Sequence, residues 1–297
     1  MGRLQDRVAL VFGASPNIAG TTAHWFAREG ARVAVVDIRA EAAEACAEFL
    51  RGKGHDAHAL VGDPTDEPDT ERLVAEALAR YGRIDIMFNQ VGNQYRHTVL
   101  DYNLHDWNRQ LGGYLTGGML TTKHTARAMV KLGNPGSIIH IVSDAGHQGE
   151  AGNTGYNAAK AGLLNFCRGA ALELARHQIR VNTISPTFMD HLLWQYPAKM
   201  LNPQIHGPET MSADDFLKGI PLGRFCNARD IANAAVFLAS DESAFMTGQD
   251  ILLDGGARAG YFCWQPGAWS GITTEDAIGR LQPHRYGEPA DDIRIDY

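Results

Sequence analysis

The chain has 297 residues, 44% of them hydrophobic and 21% charged, enough to bury a substantial core in one large domain or two small ones. A formal net charge of -7 with no Lys/Arg-rich run argues against nucleic acid as the main partner, because neutralising phosphates needs a concentrated basic face. Cys46, Cys167, Cys226 and Cys263 are far apart and show no metal-ligand spacing, so they read as reduced thiols. No signal core and no run of eighteen or more apolar residues is present, and the expectation is a soluble cytoplasmic protein without membrane partners.

Apolar runs of strand length alternate with helical patterns along the chain. VALVF is followed by a helix around residues 21–29, then RVAVVD, a helix through AEAAEACAEFL, AHALVGD, a helix through DTERLVAEALARYG, and IDIMFNQ. A helix over about 106–132 leads to SIIHIVS, one over about 155–177 to IRVNTIS, and ARDIANAAVFLAS to DILLDGG. Short buried strands separated by helices make βαβ units and a parallel sheet. The expected fold class is therefore α/β: a single doubly wound Rossmann-type domain over residues 1–256, with a seven-stranded parallel sheet and helices on both faces. Two stretches break the rhythm. Residues 187–222 form a long loop rich in Pro, Met and aromatics, and residues 257–297 follow the last strand as a C-terminal extension.

The turn after the first strand, VFGASPNIAG, has Gly13 in place, but Asn17 and Ala19 stand where a G-x-x-x-G-x-G loop has glycines. Glycine there permits positive φ or close approach to a pyrophosphate. Asn tolerates the left-handed region, and Ala adds one methyl. By itself the loop reads equally as a dinucleotide turn or a plain tight turn. Asp37 closes the second strand, where its carboxylate can hold an adenosine ribose and repel a 2'-phosphate, pointing to NAD; the alternative is a cap for the next helix. Arg39, close by, could pair with such a phosphate.

GYNAAKAG places Tyr156 and Lys160 four apart, on one face of a helix. A nearby ammonium favours a phenolate and lowers the phenol pKa, fitting such a Tyr to exchange a proton with an alcohol or ketone. Ser143, at the end of SIIHIVS, can hydrogen-bond the same substrate oxygen; its alternative is a turn or cap residue. No His/Asp/Glu cluster suggests a metal.

Taken together and in order, Gly13, Asp37, GDPTD at Asp63, NQVG from Asn89, Ser143, Tyr156 with Lys160, IRVNTISP and FMTGQDILLDGG give the chain a resemblance to the short-chain dehydrogenase/reductases over about residues 5–256. The resemblance implies hydride transfer with NAD, with Ser143, Tyr156 and Lys160 catalytic. It implies cofactor contacts from Gly13, Ser15, Asn17, Ile18, Asp37, Asp63, Pro64, Asn89, Val91, Pro186 and Met189, with Lys160 on the nicotinamide ribose. Residues 187–222 become the substrate lid, whose Phe188, Met189, Leu192, Leu193, Trp194, Tyr196 and Met200 suit a bulky ring or chain or, equally, subunit packing. His147 and His191 flank the expected mouth, so His147, Phe188, His191 and Trp194 are the candidate substrate contacts.

The family's assembly habit implies a dimer or homotetramer, with Tyr261, Phe262, Trp264 and Trp269 of the extension reaching a neighbouring subunit. Four departures surround the site: Tyr114 at the position of the family's relay Asn, Asn17 and Ala19 for glycines, Gln90 and Val91 within Asn-Asn-Ala-Gly, and Thr187 with His191 for the Gly and Thr of Pro-Gly-x-x-x-Thr. The expected activity is oxidation or reduction between a hydrophobic, cyclic or aromatic secondary alcohol and its ketone. A dehydratase or isomerase on the same site, or a non-catalytic nucleotide-binding subunit, are the competing readings.

Overall fold

The structure, a computed structural model, describes residues 2–190 and 217–259. Its strands are β1 (Val8–Phe12), β2 (Arg32–Asp37), β3 (Ala57–Val61), β4 (Ile86–Asn89), β5 (Gly136–Ile141), β6 (Ile179–Pro186) and β7 (Asp250–Leu253). They form one parallel seven-stranded sheet in the order β3-β2-β1-β4-β5-β6-β7. The helices are α1 (Ile18–Arg28), α2 (Ala40–Gly52), α3 (Glu67–Tyr81), α4 (Leu104–Leu111), α5 (Gly117–Leu132), α6 (Thr154–Leu174) and α7 (Ala228–Ala239).

The period-2 alternation of a strand explains why the apolar runs are continuous: successive side chains enter two different cores. Ala9 and Val11 of β1 join Val33, Val35, Phe88 and Ile139 under α1, α2 and α7, where Phe26, Leu50 and Ile231 pack. Val8, Leu10 and Phe12 face the other way with Val36 and Met87, against Leu73 of α3, Met129 of α5 and Leu163 of α6. Helices therefore cover both faces.

After β3 the chain crosses back to place β4 on the opposite side of β1, opening a crevice at the carboxyl ends of these strands. Register sets what faces it. Phe12 lies opposite both Val36 and Asn89, so Gly13, Asp37 and Gln90 emerge together.

One predicted helix is two. The stretch expected over 106–132 is interrupted by a π-helical turn, Gly112–Thr116, between α4 and α5. Close packing reserves the turn and the start of α5 for glycine: a Cβ on Gly113 would lie 3.1 Å from the Cα of Gly92, and one on Gly118 would lie 2.6 Å from Leu163. The turn carries Tyr114 inward, a use typical of π turns at functional sites. His191, Trp194 and the rest of the expected lid from 191 to 216 lie outside the described residues, as does the extension from residue 260, with Tyr261, Phe262, Trp264 and Trp269.

Candidate active site

Gly13 has φ +98°, its N–H donates to the Val36 carbonyl at 2.8 Å, and a Cβ there would meet the Gln90 carbonyl oxygen at 2.8 Å. Only glycine satisfies both conditions. Ala19 is fully buried, with its methyl turned toward Gly13. Asn17 departs from expectation: at φ -90° it is not left-handed. It caps α1 instead, its Oδ1 accepting from the Ile18 N–H and from the Ser15 hydroxyl, each at 2.6 Å. The side chain thus satisfies a helix-end donor that a glycine would leave open to an anion.

Asp37 Oδ2 accepts the Ala14 N–H at 3.0 Å, and Oδ1 accepts from the Arg39 N–H at 3.0 Å and its Nε at 3.3 Å. The carboxylate pins the first turn and remains at the rim of a cleft of about 720 Å³ lined also by Gly13, Ser15, Asp63, Pro64 and Val91. Asp63 Oδ1 is held by the Thr65 N–H and hydroxyl at 2.8 and 2.7 Å. Gln90, Val91 and Gly92 line both this cleft and a second cavity of about 640 Å³ that contains Ile18, Ser143, Tyr156, Lys160, Pro186, Phe188 and Met189. A glycine-cradled turn, a ribose-type carboxylate and two adjoining cavities fit an extended dinucleotide. Asn17 and Asn89 line neither cavity and act on the frame.

Asn89 is one end of a buried chain that the sequence reading missed. Its Nδ2 donates to His140 Nδ1 at 3.0 Å, and His140 Nε2 lies 2.8 Å from the Thr122 hydroxyl, which donates to the Gly118 carbonyl. Burial, with the nearby Lys160 charge, lowers the His140 pKa to about 3, so the ring is neutral with its hydrogen on Nε2. A lone His in an apolar strand gave no signal for this. Asn89 Oδ1 and Gln90 Oε1 are buried without a hydrogen-bond partner among the described residues.

Helix α6 stacks Tyr156 and Lys160 one turn apart, as their spacing predicts. Buried Lys160 donates from Nζ to the Ile141 carbonyl at 2.8 Å. The same nitrogen lies 4.3 Å from the centre of the Tyr114 ring and 5.5 Å from that of Tyr156; the two rings meet edge to face at 5.2 Å. Burial lowers the Lys160 pKa to about 7. Contrary to expectation, the Tyr156 phenol is shifted upward: desolvation leads, the Ser143 hydroxyl pulls it down, Glu150 and Asp144 push it up, and Arg96 opposes them. Loss of water outweighs help from an ammonium that sits against another ring.

Ser143, at the end of β5, accepts the Ala145 N–H at 3.2 Å and donates to Asp144 Oδ1 at 3.1 Å. Asp144 Oδ2 accepts the Thr187 hydroxyl at 2.7 Å. Burial raises the Asp144 pKa, while these bonds pull against it. Asp144 escaped the sequence reading, although a carboxylate directly after Ser143 was a visible signal; Thr187, noted only as a departure from glycine, is its partner.

His147 is a correction. Its Nε2 faces Asp250 Oδ2 at 2.8 Å and the ring does not line the cavity, because Asp250 at the sheet edge offers it a carboxylate. Gln148 lines the cavity in its place, with Gln94, Arg96 and Glu150; Arg96 and Glu150 pair at 2.9 Å. Among the described residues the wall therefore carries polar side chains beside Phe188 and Met189. Among the described residues no group of three or more His, Cys, Asp or Glu could hold a metal, and no helix is long and apolar enough to cross a membrane.

A doubly wound parallel sheet with a glycine turn after β1 and a Ser, Tyr, Lys group at the adjoining cavity defines a Rossmann-type oxidoreductase. Comparison with known proteins agrees. A family model described as enoyl-(acyl carrier protein) reductase matches residues 13–258. The chain is 34% identical over 254 residues to a sorbitol dehydrogenase of Cereibacter sphaeroides, covering 86% of this chain and 98% of that one. It is 35% identical over 256 residues to a cis-4-hydroxycyclohexanecarboxylate dehydrogenase of Sinomonas cyclohexanicum, covering 86% and 97%. A crystal structure of a short-chain type dehydrogenase/reductase from Mycobacterium marinum matches with TM-score 0.76 at 30% identity, over 86% of this chain and 97% of that one. The chain belongs to the short-chain dehydrogenase/reductase family, whose members typically bind a nicotinamide cofactor.

Proposed function

We propose that the protein is an NAD-dependent dehydrogenase that interconverts a secondary alcohol and its ketone. The observation that carries this reading is the convergence of Ser143, Tyr156 and Lys160 beside one cavity that adjoins the Asp37 cleft. A bound nicotinamide dinucleotide would supply the hydride acceptor or donor. Gly13, Ser15 and Ile18 would hold its phosphates, Asp37 its adenosine ribose, Asp63 and Pro64 its adenine side, and Val91, Pro186 and Met189 the nicotinamide side, with Lys160 on that ribose; Asn89 would act through the frame, held on His140.

Ser143 orients the substrate oxygen, and Tyr156 takes or gives the proton there. For the oxidative direction the Tyr156 phenol must fall from its raised value, and positive charge brought close to the ring is what lowers it. Lys160, with a pKa of about 7, is poised to pass the proton onward. The names of the two relatives, a sorbitol and a ring-alcohol dehydrogenase, support a secondary alcohol as substrate. A soluble, cytoplasmic homo-oligomer, dimer or tetramer, is the form we propose for it.

The test is NADH absorbance with purified protein, NAD+ and a panel of secondary alcohols, cyclic, aromatic and polyhydroxylated. Turnover that Tyr156→Phe abolishes, with NAD binding nearly unchanged, is the expected result. Measurable NAD binding with no turnover of any alcohol would overturn it in favour of a nucleotide-binding subunit, a reading that the Asn17 cap and the Tyr114 ring support.

A further inference from the structure

The cavity contains a carboxylate, Asp144, that proton transfer at Tyr156 does not require. It stands at the reacting end: Oδ1 is 3.1 Å from Ser143 Oγ, while Oδ2 is fastened by the Thr187 hydroxyl at 2.7 Å. Each carboxylate oxygen offers about two acceptor positions, so each keeps one for a ligand. From these contacts we infer that Asp144 selects a substrate with a second hydroxyl on the carbon next to the reacting one, a vicinal diol or polyol. This rests on the dehydrogenase reading above and deepens it.

The geometry matches such a substrate. The two oxygens of a gauche vicinal diol lie about one hydrogen-bond length apart, as do Ser143 Oγ and Asp144 Oδ1. With the reacting oxygen on Ser143, the neighbouring hydroxyl falls within reach of Asp144 and donates to it. Ser143 then turns its hydrogen from Asp144 Oδ1 to the reacting oxygen, which leaves the alcohol's single hydrogen for Tyr156 and frees Asp144 Oδ1 for the neighbouring hydroxyl.

Other substrate classes fit less well. A purely apolar alcohol would take water from Asp144 and return no hydrogen bond, a costly exchange for a charged group. A substrate carboxylate would face Asp144 and need a cation; Arg96 is already paired with Glu150 at 2.9 Å, and Lys160 is buried on the Ile141 carbonyl. Thr187, where the family pattern has glycine, is a second unusual residue, and its hydroxyl holds this carboxylate in place.

The experiment compares matched alcohols with NAD+: cyclohexane-1,2-diol against cyclohexanol, and butane-2,3-diol against butan-2-ol. The expected result is a kcat/KM ratio of diol to mono-ol of at least about tenfold in wild type, the size of one charge-assisted hydrogen bond. In Asp144→Ala the ratio collapses toward one, in Thr187→Val it falls by less, and in Asp144→Asn, which keeps an acceptor oxygen, part of it survives. A wild-type ratio near one, or an Asp144→Ala that slows both alcohols equally, overturns the inference, because a residue that merely steadies Ser143 would do the latter.

Folding is checked by circular dichroism, and Asp144→Asn with Thr187→Val carry the comparison where Asp144→Ala does not fold. If no alcohol turns over, the dehydrogenase reading has failed. Ligand-observed NMR with the same pairs then decides separately: diol-selective binding lost in the variants supports the role of Asp144, and unselective binding refutes it.

Discussion

The Lys160 ammonium packs on the face of Tyr114, 4.3 Å from the ring centre, closer than to the centre of the Tyr156 ring at 5.5 Å. Tyr114 occupies the position where the family resemblance places a water-holding Asn, and it presents a ring face where an amide would present donors and an acceptor. Tyr114→Asn is expected to keep or raise dehydrogenase turnover, because water regains access to Lys160. Losing a buried ring should lower stability by about 2–4 kcal/mol. Steady-state rates with a denaturant midpoint check both, and a large loss of turnover in folded protein would show that Tyr114 has a catalytic task of its own.

Gly92 makes room for that ring. At φ +123°, a Cβ would lie 2.4 Å from two Tyr114 ring carbons. Gly92→Ala should destabilise the protein by about 2–3 kcal/mol, part backbone strain and part overpacking. In the Tyr114→Asn background the overpacking share disappears while the strain remains. A double-mutant cycle in urea should therefore give a coupling of about 1 kcal/mol or more; additive costs would mean that the contact does not form.

The buried, neutral His140 makes stability depend on pH in a defined window. Its pKa falls from the ordinary value near 6.5 to about 3 on folding. Below pH 6.5 the unfolded chain takes up a proton that the folded one refuses. The stability from this group is complete above 6.5 and is lost as pH falls toward 3, by about 1.4 kcal/mol per unit once the unfolded chain is fully protonated. Urea melts at pH 7.5, 6 and 5 should show wild type losing more than His140→Gln on the acid side. His55, also lowered by burial, contributes equally to both proteins and cancels.

Asp37 is the proposed determinant of NAD over NADP. Asp37→Asn keeps an acceptor for the Ala14 N–H but removes the charge that would repel a 2'-phosphate and that holds the Arg39 Nε at 3.3 Å. The NADP+ to NAD+ affinity ratio, measured by calorimetry, should rise by about tenfold or more. An unchanged ratio would place cofactor choice elsewhere.

Much of this was legible before any coordinates. VALVF and RVAVVD form strands with those bounds, and Tyr156 and Lys160 share a face of α6, because strand alternation and helical periodicity are local properties written residue by residue. Local rules also misjudged some positions. Asn17 was read through its tolerance of positive φ, whereas the vacant N–H groups of α1 drew its side chain into a cap. His147 is expected to flank the cavity mouth, yet Asp250, more than a hundred residues away in sequence, captures it.

By itself, the sequence determined the α/β class, the seven strands, the first-turn glycine and the placing of Tyr156 and Lys160 on one helix face, since spacing and periodicity carry that information. Only the tertiary structure decided that Asp144 and Thr187, forty-three residues apart, share a hydrogen bond beside Ser143, that Asn89 rests on a neutral His140, and that Lys160 packs on Tyr114. These contacts join the ends of different strands and helices. Their existence depends on sheet register and on how much water burial removes, and neither quantity is contained in any short stretch of chain.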